Sequence, residues 1–559
     1  MFRIAVAFLF LIQILPAQSA KLLDILAEEL DRNFKALKEK GDPPPYYLAY
    51  AVSEQEGGSV TASLGSLLAS NERKSRTLDI TIRVGSPKLD NYHSVRGEFA
   101  QFTRGTPLAL DDSPDAIKRL LWRETDRCYR SAVERLINIK TSKEVKVAEK
   151  EESDDFSEAP PAKAQEHTAK MEFDLGDWEK RVRKLSAKLA NRPQLLSSSV
   201  TAMGSREVKY FVSSEGARLM HGRPMARVML SAFAKADDGM DLSTFDSFDA
   251  STAKKLPKDD KLTAAFEKVG REVEALRSAA VVDAYVGPAI LSGRAAGVFF
   301  HEIFGHRVEG HRLKDETDGQ TFLKSVGTRV LPEFLSVIFD PTLKQSAGTD
   351  LNGWYEFDDE GVTARRVPVV EKGILKTFLM SRTPIPNLPA SNGHGRRQAG
   401  NEVVSRQSNL LVEASQTVSE SRLREMLIEE LKRQNKPYGY YFQEITGGFT
   451  NTSRRGIQAF KVIPLVVYRI HVDGREELVR GADIVGTPLA SFAKIIAAGD
   501  KLEVFNGFCG AESGSVPVSA ISPAILVSEL EIQKKESSRE RPPLLPAPAA
   551  TGETGGGLQ

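Results

Sequence analysis

Three of the eight histidines, His301, His306 and His311, fall within one short stretch of residues 293–312, GRAAGVFFHEIFGHRVEGHR, with Glu302 directly after the first. Neutral imidazole is the commonest side-chain metal ligand, and a carboxylate beside it suits a hydrolytic metal site. In the HExxH arrangement the two histidines stand four apart and share a helical face. Here the pattern is H-E-x-x-x-H, and five residues at 3.6 per turn set the rings about 140° apart on a straight helix. Convergence on one ion therefore predicts a helix loosened as at a π-bulge, with Gly305 taking up the distortion. A catalytic zinc takes three protein ligands and keeps a position for water. His301 and His306 supply two, and the candidates for the third are His311, Glu309 and the distant Cys509. His311 repeats the five-residue spacing, yet one helix hardly presents three successive turns of ligands to one ion. Cys509 sits between Gly507 and Gly510 in turn-forming sequence where a thiol can approach closely, and a thiolate is a strong zinc ligand. On the residues alone, Cys509 and the others stand level. A structural site would instead close with four ligands, His311 completing the set.

The elements that must carry these residues read as an α+β chain. Residues 1–20 have a short positive start at Arg3, an apolar run from Ile4 to Leu15, and small residues after Pro16. That is the pattern of a signal peptide cleaved near residue 19 or 20, which implies export to a bacterial periplasm in place of a cytoplasmic setting. Residues 21–140 read as an N-terminal subdomain of helices and strands. Leu23, Leu26, Leu30, Phe34 and Leu37 follow helical spacing; Leu78, Ile80, Ile82 and Val84 alternate as in a strand. Ser113-Pro114 opens a second helix whose apolar stripe includes Cys128. Residues 141–170 are dense in mixed charge and poor in large apolar groups, which predicts a linker or solvated insertion. Residues 171–280 repeat the order helix, strands, helix as a second α+β subdomain. Residues 281–535 carry the histidine helix and then many short apolar runs between Gly-rich turns, with one helix at 418–434. They read as a large, mostly antiparallel β-rich catalytic domain. The Pro- and Gly-rich end, 536–559, reads as a disordered tail.

Composition narrows the functions less than the motif does. The 76 basic and 75 acidic residues nearly cancel, so no global field points to nucleic acid or an anionic membrane. The two cysteines, Cys128 and Cys509, allow one disulfide in an exported protein but not a disulfide scaffold.

Six stretches resemble the TldD branch of the TldD/PmbA family, once called modulators of DNA gyrase. They are HEIFGHRVEG (301–310), FDDEG (357–361), SNGHGRR (391–397), EITGG (444–448), RGADIVGTP (480–488) and FNGFCGAESGSVPV (505–518). The resemblance implies a zinc metallopeptidase with the HExxxH motif, in which His301, His306 and Cys509 hold Zn2+ and Glu302 is the catalytic carboxylate. It also implies cleavage of unfolded or flexible peptides within a homodimer or a heterodimer with a PmbA-type subunit. In SNGHGRR, His394, Arg396 and Arg397 are candidates to hold the oxyanion or a substrate carboxylate, while Gly447 and Gly448 let a backbone pass close to the substrate or form a turn. Two other classes remain open: a non-catalytic peptide-binding subunit, and a metal-dependent hydrolase of non-peptide bonds.

Overall fold

In a computed structural model, the protein is described over residues 18–548, apart from 96–99, 142–152, 167, 315–317, 454–459, 487–490, 537–539 and 546. The apolar run expected as a signal peptide and the end of the expected tail lie outside these residues. Among the described residues, no helix is long and apolar enough to cross a membrane.

The chain is α+β, built on two large sheets. The first sheet rests on the long hairpin Pro45–Ser63 and Ser66–Ser86, paired antiparallel. Along its other edge, Pro45–Ser63 pairs with Ser197–Ser213, which continues into Arg218–Lys235 and Asp241–Ala250. The stretches 21–140 and 171–280, expected as separate subdomains, therefore share one sheet. The reason is length: 19 residues of strand expose two full rows of backbone groups, and both rows are used. The repeated order of elements becomes two halves of this sheet, each under its own helices. Gln18–Lys40 and Pro114–Thr141 cover one half through Leu22, Leu26, Ile117 and Leu121. Leu175–Ser186 and Asp259–Ser278 cover the other through Trp178, Val182, Phe266 and Val273.

The expected linker is anchored where it is described. Phe156 is buried between Tyr46 and Tyr47, with the guanidiniums of Arg83 and Arg382 over its ring at 3.9 and 4.0 Å. Asp155 accepts from the Asp90 amide at 3.0 Å. One buried aromatic side chain docks a segment whose average composition reads as solvated, through ring contacts and two guanidiniums that the average does not register.

The second sheet forms the C-terminal part, largely antiparallel as expected. Its spine is Gly514–Lys534, which pairs with Ile495–Ala511, Tyr285–Leu291, Asn409–Ala414 and Ala482–Gly486. Because Ala482–Gly486 also pairs with Phe460–His471, which pairs with Tyr438–Thr450 and through it with Tyr285–Leu291, five strands close on themselves. The strand Tyr285–Leu291 carries a register shift between Gly287 and Ala289. Glu420–Arg433 is the single longer helix after the histidine helix among the described residues. The disulfide that the sequence allowed does not form: both thiols are free, Cys128 packed under the first sheet and Cys509 in the second.

Candidate metal centre

The histidine helix runs from Gly293 to Ile303 and is buried on nearly every side, as its all-round apolar sequence requires. Ser292 caps it, accepting from the Ala295 amide at 3.1 Å. Gly293 and Gly297 let it lie directly on the spine strand, since a Cβ at either would meet Ser522 or Ala520. Phe299, Phe300 and Phe304 pack around Phe492 and fix its rotation.

The helix does not loosen into a π-bulge. It ends at Phe304, and Gly305–Val308 tightens into a 3₁₀ turn. The break, not an unwinding, brings His306 back to His301, with ring centroids 5.1 Å apart. Gly305 serves by its missing side chain: a Cβ there would overlap the Gln407 side-chain oxygen. Gln407 uses that space to donate to the His301 carbonyl at 3.2 Å, satisfying a backbone group that the helix end leaves open.

Cys509 arrives from 203 residues beyond His306. It lies on a strand of the Ile495–Ala511 and Gly514–Lys534 hairpin, opposite Val516, and not in the turn its glycine neighbours suggested. Its Sγ is 3.2 Å from His301 Nε2 and 3.4 Å from His306 Nε2. All three donor atoms lie within 4.8 Å of one another, and all three residues are buried. Donors around a tetrahedral zinc stand roughly 3.5 Å apart, so the set fits that ion. Burial would raise the Cys509 thiol, but His306 and His301 outweigh it and hold the thiol well below its usual range. Glu302 is 8% exposed, and its carboxylate makes no hydrogen bond or ion pair with a described residue.

A buried ionic network supports these ligands. The Glu309 carboxylate, fully buried, lies 3.1 Å from His306 Nδ1 and accepts from Arg312 at 2.9 and 3.0 Å. Burial opposes its ionisation, yet His306, Arg312 and Arg406 together hold it at about 2. Glu309 is thus a support for His306 and not the third ligand. An imidazole gripped at Nδ1 by a carboxylate presents Nε2 in a fixed tautomer and orientation. His311 does not join the cluster; it bonds to Glu512, which Arg312 also reaches at 3.1 Å. These two contacts tie the hairpin tip that carries Cys509 to the turn that carries His306. Arg406 adds a further tie, donating to the Cys509 carbonyl at 2.6 Å and to the Gly514 carbonyl at 2.9 Å. Arg406, Gln407 and Glu512 escape sequence reasoning. Their signal is RQSN at 406–409, four polar residues leading into an apolar strand, all fully buried.

Comparison with known proteins bears on this geometry. The family model described as the PmbA/TldA metallopeptidase C-terminal domain matches residues 285–534, which contain the whole cluster. Over this part the chain resembles the TldD/PmbA family. It is 29% identical to a metalloprotease of Methanocaldococcus jannaschii over 47% of this chain and 53% of that protein. It is 26% identical to a zinc metalloprotease TldD homolog of Saccharolobus solfataricus over 44% of this chain and 51% of the relative. The chain thus spans about half the length of these relatives. In fold it is similar to TldE from Thermococcus kodakarensis, with a TM-score of 0.61 at 15% identity, covering 92% of this chain and 100% of that one.

The residues that the TldD/PmbA resemblance nominated for substrate are placed unevenly. Gly448 stands against the Glu302 side chain: a Cβ there would lie 2.8 Å from Glu302 Cγ. Gly447 precedes it on the Tyr438–Thr450 strand, not in a turn. Arg396 and Arg397 line a cavity between the two sheets. His394 does not belong with them. Its ring is sealed between Phe339 and Tyr355, with Nε2 3.1 Å from Ser408 Oγ and Nδ1 3.2 Å from Asn392 Oδ1. It supports the loop and is closed to an oxyanion.

That burial pushes His394 down to about 3. The unfolded chain takes up this proton near pH 6.5 and the folded protein does not, so stability is complete above 6.5 and is lost as pH falls towards 3. The loss is about 1.4 kcal/mol per pH unit, with buried His221, pushed down to about 4, adding in the same direction. Urea unfolding midpoints are expected to fall between pH 6.5 and 4, and His394→Gln is expected to remove close to one proton from the linkage slope. An unchanged slope in that variant would contradict the buried neutral ring.

Proposed function

We propose that this chain is a zinc-dependent peptidase acting on unfolded or flexible peptides, with Glu302 as its general base and acid. The observation that carries this reading is the convergence of His301 Nε2, His306 Nε2 and Cys509 Sγ beside an uncommitted carboxylate. Two imidazoles and a thiolate suit zinc in charge and softness, and three protein ligands leave a coordination position open. A zinc ion held there supplies Lewis acidity, polarising a carbonyl and acidifying water. Glu302 then takes a proton from the attacking water and returns it to the leaving amine. Its freedom from hydrogen bonds to the described residues suits a group that must change protonation twice per turnover. Gly448 keeps the neighbouring strand close enough to wall the carboxylate in. Glu309 holds the His306 ring while this occurs.

Extended peptides suit a centre carried by the strand Ile495–Ala511, which pairs in the sheet with Gly514–Lys534 alone among the described strands, because unfolded substrate can present backbone to such an edge. We propose further that the protein works after export and as a dimer, either with itself or with a PmbA-type subunit. A structural zinc site is disfavoured, since His311 is engaged by Glu512 and no fourth donor joins the cluster among the described residues.

The test is metal content and cleavage together. The purified protein is expected to carry about one zinc per chain and to cut an unstructured peptide. Removal with 1,10-phenanthroline is expected to abolish cleavage, and one equivalent of zinc to restore it. Undiminished cleavage by metal-free protein would refute the proposal.

A further inference from the structure

A cavity of about 710 Å3 opens where the two sheets face each other, within the size range of ligand sites. Its walls come from the first sheet's central strands, from residues 354–359 and 396–399, and from the hairpin that carries Cys509. Phe508 and Val516 both line it; Phe508 precedes Cys509, and Val516 is the cross-strand partner of Cys509. The cavity and the metal centre thus share this hairpin as a wall, although none of the three donors lines the cavity.

Its charges are not all neutralised. Lys209 is paired with Asp359 at 2.6 Å, Arg206 with Glu56 at 3.5 Å, and Arg397 with Asp79 at 3.8 Å. Arg223 and Arg396 have no ion pair among the described residues. Arg223 gives Nη1 to the carbonyls of Asn352 and Trp354 at 2.5 and 3.1 Å, leaving Nε and Nη2 without a protein partner among the described residues. Arg396 is 6% exposed, spends its two Nη groups on the carbonyls of Gln407 and Pro517, and lies over the Tyr355 ring at 4.8 Å. Burial, opposed by its cross-strand partner Glu207 and reinforced by Arg396, holds Arg223 down at about 10. Two neighbouring guanidiniums without an ion pair among the described residues, Arg223 with Nε and Nη2 to spare, stand on the wall of a cavity that Glu166, Glu207 and Glu356 also line, and the free donors of Arg223 suit an anion.

We infer that Arg223 and Arg396 form a carboxylate-binding subsite that selects and registers acidic peptide substrates beside the metal centre. This rests on the peptidase reading, under which the anion is one a peptide itself brings. Arginine suits the task, since its planar donors match the two oxygens of a carboxylate. Either the C-terminal carboxylate or an acidic side chain meets this chemistry. Engagement here would fix how far the chain extends towards Glu302, and so which bond is cut.

The test uses zinc-loaded Glu302→Gln protein, which does not consume its ligand, and one unstructured octapeptide in four forms: C-terminal acid or amide, with Glu or Gln at a single internal position. Equilibrium binding is expected to favour a carboxylate form by roughly 10- to 100-fold, the usual worth of a charge-assisted contact. Preference for the acid over the amide identifies the C-terminus as the source; preference for Glu over Gln identifies the side chain. Arg223→Gln is expected to abolish the preference, so that the charged and neutral peptides bind alike. Arg396→Gln is expected to do the same, but Arg223→Gln decides the matter if Arg396→Gln fails to fold. Equal binding of all four peptides, or a preference that survives Arg223→Gln, would overturn the subsite. The peptidase reading fails separately, if the wild-type protein cleaves none of the four.

Discussion

Glu302→Gln is expected to keep its full complement of zinc and to lose peptide cleavage by about 10²- to 10⁴-fold, the usual contribution of a positioned general base. The two side chains have nearly the same shape, so the close approach of Gly448 to the Glu302 stem is undisturbed. The carboxylate accepts no hydrogen bond from a described residue, so its replacement breaks no structural contact and the thermal midpoint should stay within a few degrees. What the amide cannot do is accept a proton. Measured side by side, metal per chain and unfolding temperature should match the wild type while kcat collapses and KM changes little. That pattern separates a chemical role from a structural one. Cleavage within about threefold of the wild type would remove Glu302 from the mechanism and leave the metal centre in need of another base.

Why the centre is partly legible in the sequence is clear from individual residues. His301, Glu302 and His306 lie within six positions, so their joint role is a local property of one helix and its end. Their exact path is not legible. The five-residue spacing calls for a correction of the helix, and a π-bulge would supply it. The fold instead stops the helix at Phe304, because Gln407 occupies the volume beside Gly305 and takes over the open His301 carbonyl. That reason lies 106 residues away and leaves no trace in the local pattern. The same holds for Glu309, whose partners Arg312 and Arg406 come from a near and a remote segment. The α+β class follows from periodicity, but the union of 21–140 and 171–280 in one sheet does not. Alternation identifies a strand and says nothing about which strand uses its second edge. SNGHGRR misleads for a related reason: three basic residues in Gly-rich sequence look solvated, yet His394 is sealed and only the arginines face open space.

Cys509→Ala is expected to lose both metal and activity, which distinguishes it from Glu302→Gln. The thiol is 3% exposed and is the one donor of the three that does not come from the histidine helix and its turn. Without it, two imidazoles remain, and affinity should fall by more than the roughly 10- to 100-fold that loss of a supporting contact costs a metal site. The fold has little reason to fail. Cys509 pairs with Val516 through backbone, and Arg406 grips its carbonyl at 2.6 Å, both of which alanine retains. Cys128→Ala is the matched control: it deletes the other buried thiol, under the first sheet, and should leave zinc content untouched. Zinc content read by atomic emission after dialysis, with cleavage assayed at rising free zinc, decides the point. Activity in Cys509→Ala should return only in part and only at high zinc. Retention of one tightly held equivalent would show that the hairpin cysteine is a bystander, and the convergence of three donors would then have to be explained by packing alone.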